Sequence, residues 1–136
     1  MTSPGLRLPQ LAQSDKRTHA LVIDNDIVVA DTLAMVLNSA GFEASAVYSG
    51  EAGVALASGI AFDFLVTGVI MPRMNGIDAA IRICELLSKC KVLLVSGDNS
   101  ASTLLGDALR RGYRFDILPK PLHPLELFRA LYSVEA

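Results

Sequence analysis

The sequence has no apolar run near the ~20 residues that a membrane-spanning helix needs. It also has no stretch of Lys and Arg longer than a pair such as Arg110–Arg111. With a formal net charge of −2, that second absence argues against electrostatic grip on nucleic acid, which needs a basic stripe. Cysteine is scarce. Cys84 and Cys90 are spaced for neither a zinc motif nor a redox CxxC pair, so two free thiols of a cytosolic protein are expected. Met1 to Arg17 lack the continuous apolar core of a secretory signal. These absences favour a cytoplasmic location.

What is present is the composition of a folded globule. Hydrophobic residues make up 51% and charged residues 19%, unlike disordered or collagen-like chains. A length of 136 residues suits one domain that buries about two-thirds of its unfolded surface.

Residues 1–17 mix Pro, Gly, Gln and Ser with scattered Leu and read as a tail. The domain is expected over residues 18–136. His19 to Ile23 is a short apolar run suited to a buried strand. Asp26 or Asn25 can cap the helix that follows. Val28, Val29, Leu33, Val36 and Leu37 recur there at helical spacing up to about Ala40, and Gly41 stops it. The cycle then repeats. Strands are expected at Glu43 to Val47, Phe62 to Val66, Val92 to Val95 and Phe115 to Leu118. Helices are expected at Gly50 to Ser58, with Gly59 as its stop, and at Ile77 to Leu87. Two more follow, Ala101 to Arg111, closed by Gly112, and Pro124 to Tyr132. Met71 to Gly76 has turn chemistry. Alternating β and α units predict a doubly wound parallel sheet of five strands with helices on both faces, an α/β fold. Such sheets collect ligands beyond the carboxyl ends of their strands.

The residues at those ends are Asp24, Asn25 and Asp26 after the first strand, and Thr67 and Gly68 after the third. Ser96 and Gly97 follow the fourth, and Pro119, Lys120 and Pro121 the fifth. Taken singly they mean little: Asp24 or Asp26 alone is more often a helix cap than a ligand, and Lys120 alone is a surface charge. Together they bring carboxylates, a hydroxyl and an ammonium to one edge. Acids on one loop can hold a hard cation, and lysine with a hydroxyl can bind phosphate oxygens.

At this point the chain resembles the receiver domains of bacterial two-component response regulators, from Thr18 to the C-terminus. Four stretches carry the likeness: Leu21 to Asp26, Phe62 to Gly76 with its Met71-Pro72 and closing glycine, Leu93 to Gly97, and Leu118 to Pro121. The resemblance implies the flavodoxin-like (βα)5 fold with strand order 2-1-3-4-5. It implies a signalling module of the phosphorelay type rather than an enzyme. Asp24 would be an acid of the metal site, Ser96 the hydroxyl that meets the phosphoryl group, and Lys120 the ammonium that contacts it. The Lys120–Pro121 bond would be cis. A sensor kinase or a downstream signalling protein would be the partner, and the last strand and last two helices could pair two copies.

Three positions depart from the pattern. Gly68 stands where the family places its phosphoacceptor aspartate, Asn25 where it places a second metal-binding acid, and Ile117 where it places an aromatic switch residue. Glycine cannot be the carboxylate nucleophile that an acyl phosphate requires. Conventional members use magnesium; here Asp24 and Asp26 are expected to hold it weakly or not at all. Lys120, with no phosphoryl group to meet, should pair with Asp24 or Asp26, partly exposed and worth about 0–1 kcal/mol. The expected function is a phosphorylation-independent interaction domain, a pseudo-receiver. A conventional receiver phosphorylated on Asp24 or Asp26 is an alternative. So is a haloacid-dehalogenase-like phosphatase built on Asp24 and Asp26, although a helix starts at once after them and only Glu126 and Glu135 follow Lys120 to supply a further acid. A flavin site is disfavoured because the acidic loop would repel the cofactor's phosphate.

Overall fold

The computed structural model describes residues 17–97, 101–120 and 122–135. Residues 1–16 of the expected tail, and Pro121 with its expected cis bond, lie outside the described residues. Strands β1 (His19–Ile23), β2 (Glu43–Val47), β3 (Phe64–Gly68), β4 (Lys91–Ser96) and β5 (Asp116–Pro119) alternate with helices. The helices are α1 (Ile27–Ser39), α2 (Gly50–Ala57), α3 (Gly76–Leu86), α4 (Ala101–Arg110) and α5 (Pro124–Glu135). The strands form one sheet in the order β2-β1-β3-β4-β5, and each neighbouring pair is parallel. Both the order and the parallel direction match expectation.

Two-residue alternation along each strand divides the core. Leu21, Ile23, Leu65 and Leu94 face one side, where Ala57 of α2, Ile77 and Ile81 of α3 and Ala108 of α4 cover them. Ala20, Val22, Phe64, Val66 and Leu93 face the other, under Ala30, Leu33 and Leu37 of α1 and Leu127 and Leu131 of α5. Strand β3 is buried along its whole length, so its sequence is apolar on both faces instead of alternating. The edge strands β2 and β5 are more exposed.

Caps and turns fix the joints. Asp26 caps α1 by accepting from the amides of Val28 and Val29. Ser49 caps α2 and Asn75 caps α3 in the same way. Gly41 and Gly112 take φ of 102° and 92°, the left-handed turn that ends a helix at little cost only for glycine. Gly59 follows α2 without a left-handed φ; α2 ends through Ser58, whose amide returns to Val54 and Ala55.

The third strand lies two residues later than the apolar run suggested. Phe62 is buried but precedes the ladder. Asp63 turns the chain in: its carboxylate accepts from the His19 amide at 2.9 Å, and its own amide donates to the His19 carbonyl at 2.8 Å. Thr67 and Gly68 are therefore strand residues, with Gly68 in register with Val95. The last helix runs to Glu135, three residues past Tyr132, since nothing between them breaks a helix.

Candidate functional site

Strand β1 delivers Asp24 to the carboxyl edge of the sheet. The Asp24 amide donates to the Val47 carbonyl at 3.2 Å, which carries the β1–β2 contact one residue past the strand. The side chain is 3% exposed. Its Oδ1 accepts from the Asp26 amide at 2.9 Å. Its Oδ2 accepts from Lys120 Nζ at 2.7 Å. Both carboxylate oxygens are thus engaged, one by a backbone amide and one by a full positive charge.

Lys120 arrives from the far side of the sheet. Its amide donates to the Ser96 carbonyl at 3.0 Å, continuing the ladder between β4 and β5. Its side chain is 31% exposed, and its stem passes over Gly97, where even an added Cβ would only make ordinary contact at 3.9 Å. Ser96, at the end of β4, is buried beside this lysine's backbone.

Lys120 was expected to choose between Asp24 and Asp26, and the structure gives it Asp24. Asp26 is exposed and spends Oδ1 on the cap of α1. The pair is also more deeply set than expected. Removing one member of a buried pair costs about 3–5 kcal/mol, because the other charge stays behind unpaired. Lys120 keeps access to water, which places this pair below that range and above a surface pair.

Gly68 completes the arrangement by leaving room. A Cβ at Gly68 would stand 3.1 Å from Asp24 Oδ2, the oxygen that Lys120 holds. The space in which a side chain at 68 would grow is therefore the space around this ion pair. The Gly68 backbone is fixed from behind. Its carbonyl accepts from Thr67 Oγ1 at 3.0 Å, and a Cβ on Gly76 would overlap that same carbonyl oxygen. Glycine at 76 lets the start of α3 lie directly on the end of β3.

The other sequence candidates sit around this centre without joining it. Asn25 is exposed. Ile117 is 37% exposed on β5, opposite Leu94. The Met71 to Gly76 turn contributes contacts that the sequence did not signal. Arg73 takes φ of 65° and pairs with Glu51 of α2 at 3.6 Å, while a Cβ on Gly50 would press on Met74. Neither residue type announces a pairing across two elements, so only the fold reveals this latch. Away from the edge, Cys84 and Cys90 are free. Burial pushes the Cys90 thiol up to about 12, which keeps it protonated and a poor nucleophile.

This geometry agrees with the likeness to known proteins. Residues 20–132 match the family described as the response regulator receiver domain, and the chain belongs to that family. It is 28% identical over 118 residues to the cell cycle transcriptional regulator CtrA of Caulobacter vibrioides, a match covering 84% of this chain and 48% of that protein. It is 31% identical over 103 residues to the transcriptional regulatory protein FixJ of Bradyrhizobium diazoefficiens, covering 76% and 49%. The chain spans about half the length of the curated relatives it matches. Among solved structures, chemotaxis protein CheY4 of Vibrio cholerae aligns with a TM-score of 0.76 at 23% identity, over 88% of this chain and 99% of that one. A CheY-like receiver domain from Methanospirillum hungatei gives 0.78 at 18% identity, over 88% and 95%. The family match identifies a signalling receiver of the response-regulator type, and the solved structures share its fold.

Receiver domains typically use magnesium, and the donors here do not suit it. The ion is small and prefers an octahedron of oxygens, with carboxylates among them. Asp24 has both oxygens committed, Asn25 is neutral and Gly68 brings no side chain. Among the described residues no three His, Cys, Asp or Glu side chains gather around a common point. An ammonium already stands at the carboxylate that a cation would need. No described helix is long and apolar enough to cross a membrane.

Proposed function

We propose that this receiver, residues 18–136, is a pseudo-receiver: it signals through protein contacts without taking up a phosphoryl group. The observation that carries the reading is the part-buried Asp24–Lys120 pair at 2.7 Å. In this reading Gly68 is the vacated acceptor position, Ser96 and Lys120 are remnants of the phosphoryl site, and Ile117 replaces the aromatic switch. Lys120 has turned its charge inward, onto the acid it would otherwise share with a metal and a phosphoryl group. The charges of Asp24 and Lys120 then satisfy each other, so that the site presents one state to a partner instead of two. A sensor kinase or a downstream signalling protein of the same pathway is the kind of partner this implies.

Asp24 is a poor substitute acceptor. A nucleophilic carboxylate must offer an oxygen to the incoming phosphorus, and this side chain is 3% exposed with each oxygen already accepting a hydrogen bond. Asp26 is exposed but lies outside the reach of the Lys120 ammonium, which is committed to Asp24.

Intact-mass spectrometry after treatment with acetyl phosphate and magnesium tests this. The expected outcome is an unchanged mass. An adduct of about 80 Da, the mass of one phosphoryl group, that disappears with hydroxylamine would mean that Asp24 or Asp26 serves as acceptor. The conventional signalling reading would then replace this one.

A further inference from the structure

At the opposite, amino-terminal edge of the sheet lies a cavity of about 890 Å3. His19 opens β1 there, Phe64 opens β3 and Lys91 opens β4. Arg17, Lys89 and Lys91 line it together with a single carboxylate, Asp63. That carboxylate already accepts from the His19 amide. Among the described residues, no carboxylate comes within ion-pair distance of Arg17, Lys89 or Lys91. Arg17 makes only a long contact to the Gly41 carbonyl at 3.4 Å. The back wall is apolar, made by Ile60, Ala61 and Phe64. A low-dielectric wall focuses the field of nearby cations into the space before it.

Arg17, Lys89 and Lys91 outnumber the one carboxylate, Asp63, that lines the concavity with them, which fits an anion with several charges better than one with a single charge. The volume falls in the usual range for a small-molecule site, about 300–1,000 Å3. A macromolecular partner instead needs a broad surface of about 800 Å2 on each side. We propose that the cavity lined by Arg17, Lys89 and Lys91 binds a small anion carrying two or more phosphate groups, at the edge of the sheet opposite Asp24. Terminal phosphates would meet Lys89 and Lys91, with Arg17 closing over them as a planar fork that matches phosphate oxygens. Free polyphosphate and a nucleotide share this chemistry. The apolar wall of Ile60 and Phe64 would add affinity only for the nucleotide.

The test is isothermal titration of the full chain with tripolyphosphate and, separately, with ATP, at 50 mM and 200 mM salt. Binding is expected for at least one probe, weakening as salt rises because the cations are exposed and screened. A preference for ATP would assign the apolar wall to a base, and equal binding would assign the site to the phosphates alone. Lys89→Gln with Lys91→Gln should weaken binding at least tenfold while leaving the thermal midpoint no lower than that of the unchanged protein. Arg73→Gln, which removes an exposed cation of the turn at the carboxyl edge, should leave the affinity unaltered. No heat with either probe up to 1 mM at the lower salt would overturn the proposal. So would affinity that survives the double lysine change, or that is lost with Arg73→Gln, since the phosphates would then sit at the other edge. Displacement of bound ATP by a poly-glutamate peptide of higher affinity would also overturn it, in favour of an acidic protein partner.

Discussion

At the carboxyl edge of the sheet, Asp24 and Lys120 meet at 2.7 Å with the acid almost wholly buried. At the amino edge, Arg17, Lys89 and Lys91 surround open space with one acid among them. The packing differs in the same sense. Gly68 and Gly76 bring two backbones into contact at the first edge, whereas an open concavity of about 890 Å3 lies against the strand starts at the second. Where charge is neutralised internally, the fold can close over it. Where it is not, like charges must stay hydrated or await a counter-ion. An ion pair thus occupies the carboxyl edge, and cations outnumber acids at the amino edge.

Four substitutions would break or sharpen this contrast. The largest effect is expected from Gly76→Ala, whose added Cβ would overlap the Gly68 carbonyl oxygen. Forcing backbone apart in a packed region exceeds the usual 1–3 kcal/mol of overpacking, so a loss of about 3–4 kcal/mol in urea unfolding is expected. A neutral result would mean that the carboxyl edge is not closely packed.

Next comes Lys120→Met, which leaves Asp24 buried and unpaired. A loss of about 2 kcal/mol is expected, below the 3–5 kcal/mol of fully buried pairs because Lys120 is partly exposed. Adding Asp24→Asn should restore part of it, and chemical denaturation of the three variants gives the coupling directly. If the two single changes simply add, the pair does not close the site.

Gly68→Asp should cost less, about 1 kcal/mol without magnesium. Its Cβ would stand 3.1 Å from Asp24 Oδ2, so the new carboxylate must share Lys120 with the old one. The same change should restore partial labelling by acetyl phosphate, improved by adding Asn25→Asp. Thermal unfolding with and without magnesium reads the first effect and intact mass the second. Destabilisation that magnesium relieves would indicate that the older chemistry is only one residue away.

The smallest effect should come from Lys89→Gln with Lys91→Gln. Neither lysine has an ion pair to lose among the described residues, and exposed substitutions usually stay within about 0.5 kcal/mol. A slight gain at low salt, fading at high salt, would be the signature of relieved repulsion. A loss above 1 kcal/mol would mean that these cations are structural.

The sequence by itself determined the architecture, the order of the strands and the group of residues at their carboxyl ends. Apolar runs such as Leu21 to Ile23, the Asp26 cap and the turns at Gly41 and Gly112 are local signals, and local signals survive in a linear reading. The resemblance in four ordered motifs then fixed the family. Tertiary structure decided the rest. The start of β3 depended on Asp63 reaching His19, a contact 44 residues apart, so the apolar run could not mark it. The choice of Asp24 over Asp26 by Lys120 rested on a contact 96 residues apart, and on Asp26 being taken by its own helix. The basic cavity was invisible for the same reason. Lys89 and Lys91 are already two residues apart in the chain, but Arg17 joins them only because β1, β3 and β4 start side by side. Periodicity and capping act over a few residues, whereas charge acts through space, and only the folded sheet decides which charges share that space.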